Sequence, residues 1–291
     1  MNKKTVSLVL GSGGARGLAH IGVIHWLEAH GYEIKAISGC SIGSLIGGVY
    51  AAGKLDVLEA WMRAITRPVL ASYLDFAWKR DGIIKGDKVI NTLVSLIGDQ
   101  LIEDLPMPYT AVSFDLYGEK EVWIQSGKLF DAIRASSSLP LVMTPFEDNG
   151  TVLIDGGILN PVPIAPVFSE QTDLIIAVNL GGPFQAFDKP KQKSEKSNPI
   201  TSTLSEQIKQ FFQSIQSLAP INVERGISPY EIYYQSFEAM QSTIARLKLA
   251  AYPPDKTVDI PRNACGTMEF YRAAEMIEFG YQMAQKFLDD I

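Results

Sequence analysis

Cysteine is scarce in this chain: 291 residues hold two, Cys40 and Cys265. Two thiols are too few for a disulfide framework or a cysteine-based zinc site, which fits a reducing compartment and makes the cytoplasm the expected location. Histidine is nearly as rare, with only His20, His25 and His30. Basic charge is not in excess. Lys and Arg number 26 against 32 Asp and Glu, for a formal charge of −6 and a pI of about 5.2. A phosphate-tracking surface, and with it a nucleic-acid partner, is therefore not expected. Long apolar runs are missing as well. Met1 to Lys4 followed by Val6 to Leu10 resembles the start of a signal peptide, but the apolar part is too short and Arg16 breaks its continuation. Ala36 to Gly53 carries no charge, yet glycines 39, 43, 47, 48 and 53 mark it as a buried strand, turn and helix rather than a membrane span.

An apolar fraction of 46% supplies an ample core for one large α/β domain spanning 1–291. Val6 to Leu10 is a short apolar run bounded by glycine, as in a strand buried on both faces. A helix is predicted from about Ala15 to His30 and a second strand from Ile34 to Ser38. The resulting alternation of strand, helix, strand, turn and helix argues for a mainly parallel sheet covered by helices. Helical spacing recurs at Asp56 to Ile65, Asp87 to Ile97 and Leu129 to Ser136. Strands are predicted at Tyr109 to Asp115, Glu121 to Gln125, Thr151 to Ile154, Leu174 to Asn179 and Thr257 to Ile260. Residues 181–250 read as a mobile connector, rich in Gly, Pro, Lys and Ser up to Pro199, followed by a helical insertion. Within it Leu204, Ile208, Phe211, Phe212, Ile215 and Leu218 give one helix an apolar face, suited to packing on the domain or to lipid or lid contact. A helix from Pro229 to about Ala250 follows, and a last one runs from Glu269 to Leu288.

Gly39-Cys40-Ser41-Ile42-Gly43 lies between the second strand and the small-residue stretch Ser44 to Ala52. A strand feeding sharply into a helix strains the central residue, and flanking glycines are needed where any Cβ would strike neighbouring backbone. Ser41 is the candidate nucleophile and Gly39 and Gly43 its elbow. Acyl transfer from serine also needs a base and oxyanion donors. All three histidines precede Ser41, so the Ser, acid, His order of α/β-hydrolases cannot be built, and no serine is followed by lysine in an S-x-x-K pattern. Asp155, at the end of a predicted strand and followed by Gly156 and Gly157, is the economical direct partner, although Asp-Gly-Gly in isolation is also an ordinary turn.

Gly11-Ser12-Gly13-Gly14-Ala15-Arg16-Gly17 follows the first strand and opens a helix, an arrangement that aims backbone N–H groups at an anion. For a dinucleotide, an acidic residue should end the second strand, where Ser38 and Gly39 stand. An oxyanion hole formed by Gly13, Gly14, Ala15 and Arg16 fits better, because the next strand leads into Ser41.

These four stretches, the glycine loop with its continuation Leu18 to Val23, the elbow, Ala135-Ser136 to Pro140, and Asp155-Gly156-Gly157, resemble the patatin-like phospholipase family, in the style of its bacterial serine esterases. Ser12 and Leu141 depart from it, standing where glycine is frequent. The resemblance implies a three-layer α/β/α fold and a Ser41–Asp155 dyad without histidine. It also implies hydrolysis of acyl esters of lipids, with peripheral membrane contact compatible with such a substrate. Pro68 to Trp78, with Tyr73, Phe76 and Trp78, is either a lipid-facing rim or core. A folded but catalytically idle lipid-binding or regulatory protein is the rival reading. Chemistry of this kind uses no metal or other cofactor, so hydrolysis of a p-nitrophenyl ester is expected to run at the same rate in excess chelator as without it.

Overall fold

A strand buried on both faces must send alternate side chains into two different cores, and β1 (Thr5–Leu10) does so. Val6, Leu8 and Leu10 enter the large core, while Val9 enters a smaller one on the other side. In β7 (Leu174–Gly182), Ile176, Val178 and Leu180 join the large core and Ala177 the smaller. The computed structural model describes residues 3–73, 86–140, 142–185 and 229–289. The chain forms two compact units, Met1–Gln185 with Glu238–Ile291, and Ala186–Phe237.

In the larger unit, β1 lies between β2 (Glu33–Cys40) and β7, and β7 continues to β8 (Lys256–Pro261), all parallel. β2 is followed by β3 (Tyr109–Asp115), again parallel. Past β3 the direction changes. β4 (Lys120–Ile124) and β6 (Thr151–Asp155) are antiparallel to β3, and β5 (Phe146–Asp148) is antiparallel to β6. The expected mainly parallel sheet is thus parallel through its centre and antiparallel at one edge.

On the large-core face lie α1 (Ala19–Ala29), α2 (Ile42–Ala51), α3 (Leu55–Arg63) and, from the far end of the chain, α8 (Ala273–Leu288). Between α3 and β4 come α4 (Arg67–Tyr73) and α5 (Asp87–Ile97), and α6 (Leu129–Ser136) follows β4. The opposite face is covered by residues Val162 to Val167 and by Ala245 and Leu249 of α7 (Pro229–Ala251). This is the three-layer α/β/α arrangement. The described part of the smaller unit is the start of α7, where Tyr233 and Phe237 stack with ring centroids 6.4 Å apart.

The expected helix at Ala15 to His30 opens as a 3-10 segment, Gly14–Leu18, and the last helix is preceded by one at Phe270–Arg272. β5 escapes a periodicity reading because three residues carry no period. The lysine-rich run Lys189 to Lys196, the amphipathic stretch Leu204 to Leu218, Leu141, and Phe76 with Trp78 lie outside the described residues.

α1 and α8 touch backbone to backbone. A Cβ on Gly22 would come within 1.9 Å of the Ile277 carbonyl oxygen, and one on Gly280 within 2.0 Å of that of Ala19. No rotamer change relieves such contacts, so the helices must separate. Gly280→Ala is expected to lower unfolding free energy by about 1–3 kcal/mol, read from denaturant midpoints.

Candidate active site

Ser41 sits in the single-residue gap between β2 and α2, with φ 54° and ψ −122°. A positive φ in a non-glycine residue is strained and persists only where its surroundings enforce it. The flanking glycines allow the turn: a Cβ on Gly39 would lie 2.4 Å from the Gly43 oxygen, and one on Gly43 2.1 Å from that of Leu10. Hydrogen bonds then fix it. The Ser41 N–H donates to Ser136 Oγ at 2.9 Å, and the Ser136 hydroxyl donates to the Val112 carbonyl at 2.6 Å. On the other side the Ser41 carbonyl accepts from Ser44 Oγ at 2.7 Å and from the N–H groups of Ser44 and Leu45.

Asp155 reaches Ser41 through the layout of β3. Val112 is paired with Cys40 and Trp123, whereas Ser113 is paired with Asp155 and Val122. β4 therefore occupies one edge of β3, and β2 and β6 share the other, running toward each other and meeting end to end. The last residue of one faces the last residue of the other, which brings Asp155 beside the elbow. Close backbone approach requires glycine here, since a Cβ on Gly156 would lie 2.2 Å from the Val112 oxygen. A Cβ on Gly157 would lie 2.7 Å from Ser12 Oγ.

The Asp155 side chain is buried. Its N–H donates to Ser138 O at 3.0 Å. Its Oδ1 accepts the Gly157 N–H at 2.8 Å and lies 3.6 Å from Cys40 Sγ, and the Ser41 hydroxyl is near enough to hold the carboxyl pKa down. Burial raises its pKa to about 6, with the Ser41, Gly157 and Cys40 hydrogen bonds acting in the opposite direction. At neutral pH the carboxylate is ionised yet far more basic than an exposed one.

The glycine loop needs a correction to the expected donor set. The N–H groups of Gly11, Ser12 and Ala15 are taken by Val178 O, Pro161 O and Thr267 O at 3.0, 2.8 and 2.8 Å. Ala15 therefore has no N–H to offer an oxyanion. The buried Arg16 guanidinium is also engaged, donating to Gly13 O at 3.2 Å, Arg262 O at 2.7 Å and Glu238 at 2.6 Å. Its charge is met by Glu238 instead of being open to a substrate. Because the peptide is trans, holding the Gly13 oxygen toward Arg16 turns the Gly14 N–H the opposite way. Gly14 has φ +59°, and a Cβ there would meet Thr267 Cγ2 at 2.4 Å.

The histidines have other duties. His20 is buried with Nε2 2.9 Å from Gly11 O, and burial, opposed by that bond, brings its pKa down to about 4. The ring is neutral at physiological pH, and since a carbonyl can only accept, Nε2 carries the proton. It fixes the start of the glycine loop. His25 contacts Glu59 at 3.1 Å, and His30 bonds Trp26 O at 2.8 Å while stacking on its ring. Ser136, Ser138 and Cys40, around Ser41 and Asp155, were not singled out by sequence reasoning for any role. Ser136 lay within a matched motif, but its partners are strands far off in sequence.

The fold is of the α/β/α class, and the proteins the chain resembles in sequence mark it as an ester-hydrolysing enzyme. The chain belongs to the patatin-like phospholipase family, whose model matches residues 8–168. It is 35% identical to an NTE family protein of Mycobacterium tuberculosis, across 98% of this chain and 91% of that protein. It is 29% identical to a lysophospholipase NTE1 of Coccidioides immitis, across 98% of this chain but 18% of that protein. For the lysophospholipase NTE1 of Saccharomyces cerevisiae the figures are 31%, 62% and 11%.

Ionised Asp155 carries a desolvation cost, and the sign of its pH dependence follows. Its folded pKa, about 6, lies above the ordinary 3.8. Native stability is therefore unaffected below the unfolded value and is lost as pH rises through about 6. Asp155→Asn removes the titration. Its melting temperature relative to wild type is expected to rise between pH 4 and pH 7 and then level off, measured by calorimetry across that range.

Proposed function

We propose that the chain is a serine acyl hydrolase cleaving carboxylic esters of lipids, with Ser41 as nucleophile and Asp155 as its base. The observation that carries the reading is a serine on a strand-to-helix turn of positive φ beside a buried carboxylate whose pKa it lowers. Membership of a phospholipase family and relatives named lysophospholipase support a lipid ester as substrate. Asp155 takes the hydroxyl proton as Ser41 Oγ bonds to the carbonyl carbon, and the carbonyl π electrons move to its oxygen. The N–H groups of Gly13 and Gly14 are the donors for that oxyanion. Collapse expels the alcohol, which takes the proton from Asp155 and leaves an acyl-serine. Water then attacks with Asp155 again as base, releasing the acid and restoring the serine.

A carboxylate of ordinary basicity would take the serine proton poorly. Burial makes Asp155 a better base without protonating it at neutral pH. The site belongs to a cytoplasmic enzyme working at a membrane surface. Among the described residues no helix is long and apolar enough to cross a membrane.

Hydrolysis of p-nitrophenyl esters of increasing chain length tests the reading. Ser41→Ala and Asp155→Asn are each expected to lower kcat by at least about 10³-fold while still unfolding cooperatively. Wild type should be labelled by a fluorophosphonate, and Ser41→Ala should not. Wild-type kcat/KM should fall below pH about 6 as Asp155 is protonated. Full activity in Ser41→Ala would overturn the assignment, and absence of both turnover and labelling in wild type would leave a lipid-binding protein.

A further inference from the structure

We propose that Cys40 is a positioning residue for the Asp155 base. Its S–H occupies the second acceptor direction of Oδ1, so that the carboxylate is anchored through one oxygen and meets Ser41 with the other. The inference rests on the Ser41–Asp155 reading and concerns the position just before the nucleophile, which carries no fixed residue in the G-x-S-x-G pattern.

Three observations support it. Cys40 ends β2 and Asp155 ends β6, and their partners on β3, Val112 and Ser113, are consecutive, so the two side chains stand at the junction of the colliding strands. Cys40 is fully buried, and its Sγ lies 3.6 Å from Oδ1, within reach of a sulfur hydrogen bond. Oδ1 already accepts the Gly157 N–H at 2.8 Å. With both directions of that oxygen filled, rotation of the carboxyl group about its Cβ–Cγ bond would break two contacts.

The thiol stays protonated, and so remains a donor, because burial and the neighbouring carboxylate both hold its pKa well above the ordinary value. That also makes it a poor nucleophile in spite of its place beside Ser41. A thiol is a weak donor, so the contribution is orientation plus a modest preference for ionised Asp155. The charged groups around the pair are few. From β4, Glu121 acts on the thiol, but it is held by Lys248 and by Asn160 Nδ2. From the α6 side come the hydroxyl of Ser136 and the carbonyl of Ser138, neither of which titrates near neutrality.

The decisive measurement is the acid limb of kcat/KM for a p-nitrophenyl ester in the full chain, compared among wild type, Cys40→Ala and Cys40→Ser. Removing a donor to the ionised form raises a carboxyl pKa, so the limb of Cys40→Ala is expected to move up by about half to one unit. The rate at pH 6 should then drop about two- to fivefold and recover toward pH 8. Cys40→Ser, which restores a donor, should return the limb to the wild-type position. A Cys40→Ala limb that overlays wild type overturns the proposal, whatever happens to melting temperature, because a packing role alone would leave the limb unmoved. If Cys40→Ala does not fold, infrared spectroscopy of wild type decides. The S–H stretch of Cys40, assigned by its loss in Cys40→Ser, should be red-shifted and should move in Asp155→Asn; a band at the free-thiol position overturns the proposal. An acid limb absent from wild type, with activity kept in Asp155→Asn, would instead refute the dyad itself.

Discussion

Two strands that share one edge of β3 and run toward each other set the terms for the rest of the site. β2 and β6 are antiparallel and collinear, so their ends meet, and whatever residues stand there are forced together. Ser41 lies one residue past the first end and Asp155 is the second. In an all-parallel sheet, catalytic groups project from strand ends lying side by side, with about one strand spacing between neighbours. Here the antiparallel edge replaces that lateral spacing with a head-on approach that sets Asp155 beside the elbow.

The same junction explains why the site is closely packed. Glycines 39, 43 and 156 each bring backbone where a methyl group would not fit. Buried serines take up the polar groups that such close contacts would otherwise orphan. Burial in turn raises the proton affinity of Asp155. The basicity of Asp155 is thus a property of packing, with the surrounding donors preventing it from rising so far that the carboxylate is protonated at neutral pH.

Much of this was legible in the sequence because it is local. Strained elbows need glycine two positions either side, strand ends are marked by glycine pairs, and a glycine loop between strand and helix announces itself by composition. The histidines could be set aside from chain order alone, and their observed partners are structural. What was not legible depends on distant partners. Neither composition nor spacing says that Thr267 takes the Ala15 N–H, or that Glu238 neutralises Arg16 across more than two hundred residues of chain. The direction of β6 was likewise hidden, since a five-residue strand reads the same parallel or antiparallel. Ser136 and Cys40 were invisible as supports because small buried residues look like core until their neighbours are known.

Thr267, Glu238 and Arg262, which immobilise the glycine loop, all lie beyond residue 168, where the family match ends. The motif-bearing part of the chain therefore carries Ser41 and Asp155 but not the whole frame around them. α8 repeats the theme by locking its backbone against α1 directly behind that loop. A change in the last third of the chain can consequently displace the glycine loop while every recognisable motif stays intact, so an unaltered signature does not by itself guarantee a working enzyme.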